Sequence, residues 1–233
     1  MEKIIKQEKS IIIACDVPLE LYEKIIRETK DIEGISGYKV GSILALNYGL
    51  PKIVETTRKY TEKPIIYDHQ KAGTDIPDTG KEFVRVCKKA GIDAIILFPQ
   101  SGPETEKAWI KAAKEEGLGV IVGGLMTHPK YKRSEGGYIA DEAILEIYLL
   151  AAEMGITDFV VPGNKPEEIK RIKESLEKRG TNPIFYAPGF IAQGGQITEA
   201  AKVAGNNWHA IIGRGIYQAE SLKKAALEYT SKL

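Results

Sequence analysis

Residues 10–29, "SIIIACDVPLELYEKIIRET", decide how the rest of the chain is read. A short β-branched run stops at Asp16, a proline marks a turn, and Leu19, Tyr22, Ile25, Ile26 and Thr29 then recur at helical spacing. The segment is a strand followed by an amphipathic helix. Outward from it the same unit repeats: "GYKVG" (37–41) with "LPKIVETTRKY" (50–60), "PIIYD" (64–68) with "TGKEFVRVCKKAG" (79–91), and "DAIILF" (93–98) with "PETEKAWIKAAKEEG" (103–117). It continues through "GVIVGG" (119–124) with "ADEAILEIYLLAAEMG" (140–155) and "DFVVPG" (158–163) with "KPEEIKRIKESLEKRG" (165–180). The last units are "PIFYAPG" (183–189) with "TEAAKVAG" (198–205) and "HAIIGRG" (209–215) with "ESLKKAALEYTSKL" (220–233).

Continuous apolar strands alternating with helices imply a parallel sheet covered on both faces. Eight such units in 233 residues predict an α/β fold, a single-domain (β/α)8 TIM barrel over 1–233. An open doubly wound sheet is the runner-up, but no GxGxxG follows the first strand. Glycines after "CKKA", "KEE", "AAEM" and "LEKR" read as left-handed helix caps, and no Pro/Gly/Ser-rich linker divides the chain.

The composition narrows the partners. Lys and Arg total 33 against 32 Asp and Glu, with no block of like charge, so neither a nucleic-acid groove nor an anionic membrane surface is expected. The apolar runs are too short to span a bilayer, and the start "MEKIIKQEK" is too charged for a signal-peptide core, so a cytoplasmic location is expected. Cys15 and Cys87 sit in apolar contexts without CxxC or a nearby histidine, as reduced core thiols do. Trp109 and Tyr148 fall on apolar helical faces and read as core.

In a barrel the C-terminal strand ends ring one site. The polar groups there are Asp16, Lys39, Asp68 with Lys71, Met126-Thr127-His128, Pro162-Gly163-Asn164, Pro188 with Gln193, and Gly213-Arg214. Loops seven and eight, "APGFIAQGGQI" and "IIGRGIY", carry glycines that let backbone approach a ligand and an arginine whose planar fork suits phosphate. They point to a phosphorylated ligand. Lys39, one strand from Asp68, is placed to pair with it, either as a barrel-mouth ion pair or as part of a site that sets carboxylate and ammonium against a substrate anion.

The combination of "KVG", an Asp/Lys/Asp cluster ending in "DIPDT", "MTHP", "VVPGNKPEEI", "APGFIAQGG" and "IIGRGIY" resembles the orotidine 5'-monophosphate decarboxylase family over nearly the whole chain. That resemblance implies a (β/α)8 barrel, no metal or cofactor, a homodimer with sites at the interface, and conversion of orotidine 5'-monophosphate to UMP in pyrimidine biosynthesis. It assigns Lys39, Asp68, Lys71 and Asp75 to the catalytic Lys-Asp-Lys-Asp network, with Lys71 as proton donor to C6. Asp75 would come from the partner subunit with Thr79 behind it. Asp16 would bind the ribose hydroxyls, Thr127 would meet the pyrimidine in place of a usual serine, Pro188 would line its pocket, and Gln193, Gly213 and Arg214 would hold phosphate.

One departure stands out. The family pattern is DxKxxD, whereas this chain has D-HQ-K-AGT-D, one residue longer in each gap. Either the loop bulges outward and still delivers its three heads, aided by Gly73, or the network is re-aimed. The resumption of "DIPDT" without drift favours the first, with His69 and Gln70 as loop residues. The run "HPKYKRSEGGY" (128–138) is open to two readings, a flap over the pyrimidine or a surface loop. Two alternative functions stay in view: a Mg²⁺-dependent sugar-phosphate aldolase or decarboxylase of the same superfamily, and a non-catalytic nucleotide-binding barrel.

Overall fold

The computed structural model describes residues 3–69, 73, 75–191 and 197–233. Eight parallel strands close in sequence order: β1 (Lys9–Cys15), β2 (Ile35–Gly41), β3 (Ile65–Asp68), β4 (Ala94–Leu97), β5 (Gly119–Gly123), β6 (Asp158–Val160), β7 (Ile184–Pro188) and β8 (Trp208–Ile212). β8 pairs back onto β1, with Ile11 opposite Ala210, so the sheet has no edge. Around it run α1 (Leu19–Thr29), α2 (Ser42–Tyr48), α3 (Leu50–Arg58), α4 (Thr79–Ala90), α5 (Pro103–Glu115), α6 (Asp141–Glu153), α7 (Pro166–Glu177), α8 (Glu199–Ala204), α9 (Arg214–Tyr217) and α10 (Leu222–Thr230). This is the (β/α)8 barrel read from the alternation. No helix among the described residues is long and apolar enough to cross a membrane.

The period of two along each strand separates two cores. Ile11, Ile13 and Cys15 on β1, Tyr38 and Val40 on β2 and Tyr67 on β3 face the helices and join a continuous outer core that also takes Trp109 and Tyr148. Ile12, Ile66, Ile96, Ile121, Val160 and Tyr186 point inward and fill the barrel, with Ile5 from the N-terminal segment packed among them. Both cysteines are free and buried, as expected of core thiols. Gly91, Gly117, Gly155 and Gly180, the helix-ending glycines, all have positive φ.

The helix α2 was not foreseen. Its sequence "SILALNY" lacks a polar face, and it leaves Ile43 and Leu46 exposed at the mouth of the barrel, just after β2.

Inside the barrel, toward the N-terminal ends of the strands, lies a polar layer. Ser10 Oγ is 2.6 Å from Ser36 Oγ and 2.7 Å from His209 Nδ1. The His209 ring sits 4.8 Å from the Tyr186 ring, and the Tyr186 hydroxyl donates to Asp158 Oδ1 at 2.6 Å. Burial in this layer pushes the His209 imidazole down to about 3, with repulsion from the Lys3 ammonium adding to the shift. His209 is therefore neutral at pH 7 and belongs to the scaffold, at the end opposite the site.

Candidate active site

Inward-pointing residues at the C-terminal ends of β1, β2 and β3 meet in one charged group. Lys39 follows the same alternation as the apolar interior, and parallel pairing sets Ala14 beside Lys39 and Gly41 beside Asp68. Its Nζ donates to Asp68 Oδ2 at 2.7 Å and stands 3.9 Å from Asp16 Oδ2. Lys39 and Asp68 are buried, whereas the Asp16 side chain is 48% exposed at the mouth. Burial alone would lower the pKa of the Lys39 ammonium, but the carboxylates of Asp68 and Asp16 more than offset it and hold the pKa above its ordinary value. The ammonium stays charged in a desolvated mouth. Such a pair is costly to break from one side, because the remaining charge is left buried and uncompensated.

Gly41 explains where Asp16 sits. A Cβ built at Gly41 would lie 2.0 Å from Asp16 Oδ1, so the carboxylate occupies the space that any side chain there would fill.

These three residues form one wall of a cavity of about 350 Å³ at the barrel mouth. At the ends of β7 and of β8, the latter paired to β1, stand Pro188, Gly213 and Arg214, with Thr127 on the side of β5. Gly163 lets the loop after β6 lie directly against the end of β7, since a Cβ there would fall 2.1 Å from the Pro188 carbonyl oxygen. Asn164 Nδ2 donates to the Thr127 carbonyl at 3.1 Å and ties that rim to the loop after β5. The cavity thus has an acidic and ammonium side, an apolar floor that includes Ile96 and Val160, and an arginine on the rim after β8.

Nine sequence-expected residues therefore converge: Asp16, Lys39, Asp68, Met126, Thr127, Pro162, Pro188, Gly213 and Arg214. Lys71 and Gln193 lie outside the described residues. Asp75 and Thr79 do not line this cavity. Asp75 is exposed and accepts the Ile76 N–H at 2.8 Å, while the Thr79 hydroxyl, at the start of α4, donates to the Ile76 carbonyl at 2.9 Å. The two aromatic lining residues, Phe98 and Tyr217, were missed. Phe98 was legible, being two positions beyond inward-facing Ile96. Tyr217, one turn after Gly213, sits where only the path of α9 brings it over the opening.

The segment carrying Asp68 and Asp75 is pinned from outside the barrel. His69 Nδ1 lies in hydrogen-bond contact with the Tyr67 hydroxyl, and its ring meets Phe83 edge-on at 5.5 Å. Phe83 packs on Trp109 at 5.1 Å, and Trp109 Nε1 donates to the Ile76 carbonyl at 3.1 Å. Thr105 Oγ1 donates to the Asp75 carbonyl at 2.9 Å. Gly73, with φ 83°, is buried, and a Cβ there would touch Pro99 at 3.2 Å. His69 is not among the cavity's lining residues, in line with its reading as a loop residue.

The 128–138 run folds back on itself. Lys132 pairs with Ile139 in a β-bridge, and its Nζ donates to Glu168 Oε1 at the start of α7 at 2.5 Å. Lys165 Nζ lies 3.6 Å from Glu135. Among the described residues, no three His, Cys, Asp or Glu side chains are grouped so as to hold a metal ion.

Fold and site together define a (β/α)8 barrel with a buried lysine-carboxylate group and an arginine-bearing rim around one small-molecule cavity. The sequence profile of the orotidine 5'-phosphate decarboxylase / HUMPS family matches residues 9–229, and the chain belongs to that family. The orotidine 5'-phosphate decarboxylase of Methanosarcina mazei is 34% identical over 224 residues, covering 96% of this chain and 94% of the relative. That of Pyrococcus furiosus is 34% identical over 214 residues, covering 89% and 92%. Among solved structures, orotidine 5'-monophosphate decarboxylase from Methanocaldococcus jannaschii, complexed with the inhibitor BMP, superposes with a TM-score of 0.81 at 28% identity, covering 97% of this chain and 99% of that one.

Proposed function

We propose that this chain decarboxylates orotidine 5'-monophosphate to UMP in pyrimidine biosynthesis, as a cofactor-independent carboxy-lyase of the cytoplasm built on one domain, 1–233. The observation that carries this reading is the Lys39 ammonium held between Asp68 and Asp16 in the same cavity that Gly213 and Arg214 line. A nucleotide monophosphate needs both kinds of group, one for the reacting base and one for the phosphate.

In this reading the C6–carboxylate bond breaks, the electron pair stays on C6, CO₂ leaves, and the Lys71 ammonium delivers a proton to C6. Asp68 faces the departing carboxylate, and its repulsion raises the energy of the bound ground state while Lys39 holds Asp68 in place. Asp16 accepts from the ribose hydroxyls, Thr127 hydrogen-bonds the pyrimidine against Pro188, and Gln193, Gly213 and Arg214 hold the phosphate. Binding energy gained at the phosphate is used to fix the stressed geometry at C6. Asp75 and Thr79 serve the site of a partner subunit in a homodimer, a reading supported by the exposure of Asp75 and by the place of both outside the cavity of their own chain.

Release of CO₂ from orotidine 5'-monophosphate by the purified protein, with Lys71→Ala as control, tests the proposal. Turnover that persists with a chelator and vanishes in the variant is expected. Tight UMP binding without CO₂ release would make the barrel a nucleotide-binding protein instead.

A further inference from the structure

A second cavity, sharing no lining residue with the first, lies on the outside of the barrel between α5, the loop after β4 and α6. Its volume is about 330 Å³, and Pro103, Ile139, Ala143, Ile147 and Leu150 make its walls largely apolar. Into it is set Glu106, from the first turn of α5. Glu106 is 1% exposed, and its Oε1 is buried with no hydrogen-bond partner. Among the described residues, the only other charged lining residue is Glu146, exposed on α6, and no basic residue lines the cavity.

We propose that this cavity is a binding site for an alkylammonium group, whose charged head pairs with Glu106 and whose hydrocarbon stem lies against the apolar walls. A lone buried carboxyl costs several kcal/mol to ionise in an apolar surrounding, so an unoccupied Glu106 holds its proton. Burial pushes its pKa up to about 8. A cation entering the cavity reverses this: at short range and low local dielectric it favours the carboxylate, which then offers charge-assisted acceptors to the N–H donors. The walls exclude water from the pair and add the burial of each methylene. An anion finds no cation here among the described residues, and the Glu146 carboxylate repels it. A neutral apolar ligand would leave Glu106 without a partner. The inference does not rest on the reaction at the barrel mouth, and its readout is binding, so the two fail separately.

The ammonium could be carried by a free small amine or by a lysine of a second copy of this chain, and one set of measurements separates them. The probe is n-butylammonium, titrated calorimetrically at pH 7 in two buffers of different ionisation enthalpy, with protein mass followed by sedimentation. Binding is expected with release of close to one proton per site, the proton passing from Glu106 to buffer, and with release shrinking toward zero by pH 9. Glu106→Gln keeps the shape of the protonated acid and should weaken binding at least about tenfold. Ala143→Leu, which keeps the carboxyl and fills the cavity, should abolish it. Both variants should retain the CO₂-releasing activity of the parent, which checks their folding. If butylammonium does not bind but Glu106→Gln and Ala143→Leu both shift the protein to lower mass, the ammonium is supplied by a second copy. Absence of both binding and any mass change overturns the proposal, as does binding that leaves Glu106→Gln unaffected.

Discussion

Acidification should expose the buried histidine of the barrel interior. In the folded protein His209 titrates near 3, while the same imidazole in an unfolded chain titrates near 6.5. Below pH 6.5 the unfolded state therefore binds the proton that the folded state refuses. This contribution to stability is fully present above pH 6.5 and is lost as the pH falls toward 3. The loss runs at up to about 1.4 kcal/mol per pH unit, so the interval from pH 6 to pH 4 should remove on the order of 2–3 kcal/mol. His209→Asn isolates the effect, because its amide can still reach Ser10 while carrying no titratable proton. At pH 7 the variant should be weaker by about 1–3 kcal/mol, from the smaller side chain and the lost contact with Tyr186. Between pH 6 and pH 4, however, it should lose less than the parent, so the gap between the two narrows or inverts. Urea unfolding followed by circular dichroism, at fixed protein concentration, measures the gap at each pH. A gap that stays constant would show that His209 accepts its proton in the folded barrel and would refute the reasoning.

Other expectations follow from the site. Gly41→Ala should drive Asp16 off its position, because the new methyl would fall 2.0 Å from its Oδ1. Substrate KM should then rise about tenfold in steady-state assays, and an unchanged KM would remove Asp16 from ribose binding. Arg214→Ala should lower kcat/KM by about 10²–10³-fold, more than a rim salt bridge would account for, since phosphate binding energy is used at C6. Mixing Lys71→Ala with Asp75→Asn subunits should restore part of the activity through one intact hybrid site. No recovery after verified subunit exchange would mean that each site is complete within one chain.

The fold was legible because each β/α unit carries its own period. "SIIIAC" and "AIILF" are continuous apolar runs, as strands buried on both faces must be, and the caps at Gly91, Gly117, Gly155 and Gly180 punctuate the helices. The mouth was legible through the same alternation, which put Asp16, Lys39 and Asp68 on inward positions of three consecutive strands. What stayed hidden depends on contacts distant in sequence. Nothing local to "NNWHAII" shows that His209 meets Ser10 and Tyr186, because that layer is assembled from strands 23 and 199 positions away. Glu106 looks like an ordinary first-turn acid of α5, and only the packing of α6 across it removes its water.

The longer Asp68–Asp75 segment shows which of these two kinds of information matters for chemistry. Counting residues makes the spacing look disruptive, eight positions against six in DxKxxD. Loop-closure entropy for that difference is only about 0.3 kcal/mol. A single well-formed hydrogen bond contributes about 1 kcal/mol, and the far end of the segment is held by two that do not depend on its length: Trp109 to the Ile76 carbonyl and Thr105 to the Asp75 carbonyl. At the near end His69 turns onto Tyr67 and Phe83, and Phe83 in turn rests on Trp109, so one aromatic column joins both anchors. Gly73 takes the left-handed conformation against Pro99, where a β-carbon would be crowded. Asp68 is fixed by β3 and Lys39, Asp75 by α5, and neither position is set by the number of residues between them. The geometry of the two ends is thus governed by the scaffold that holds them.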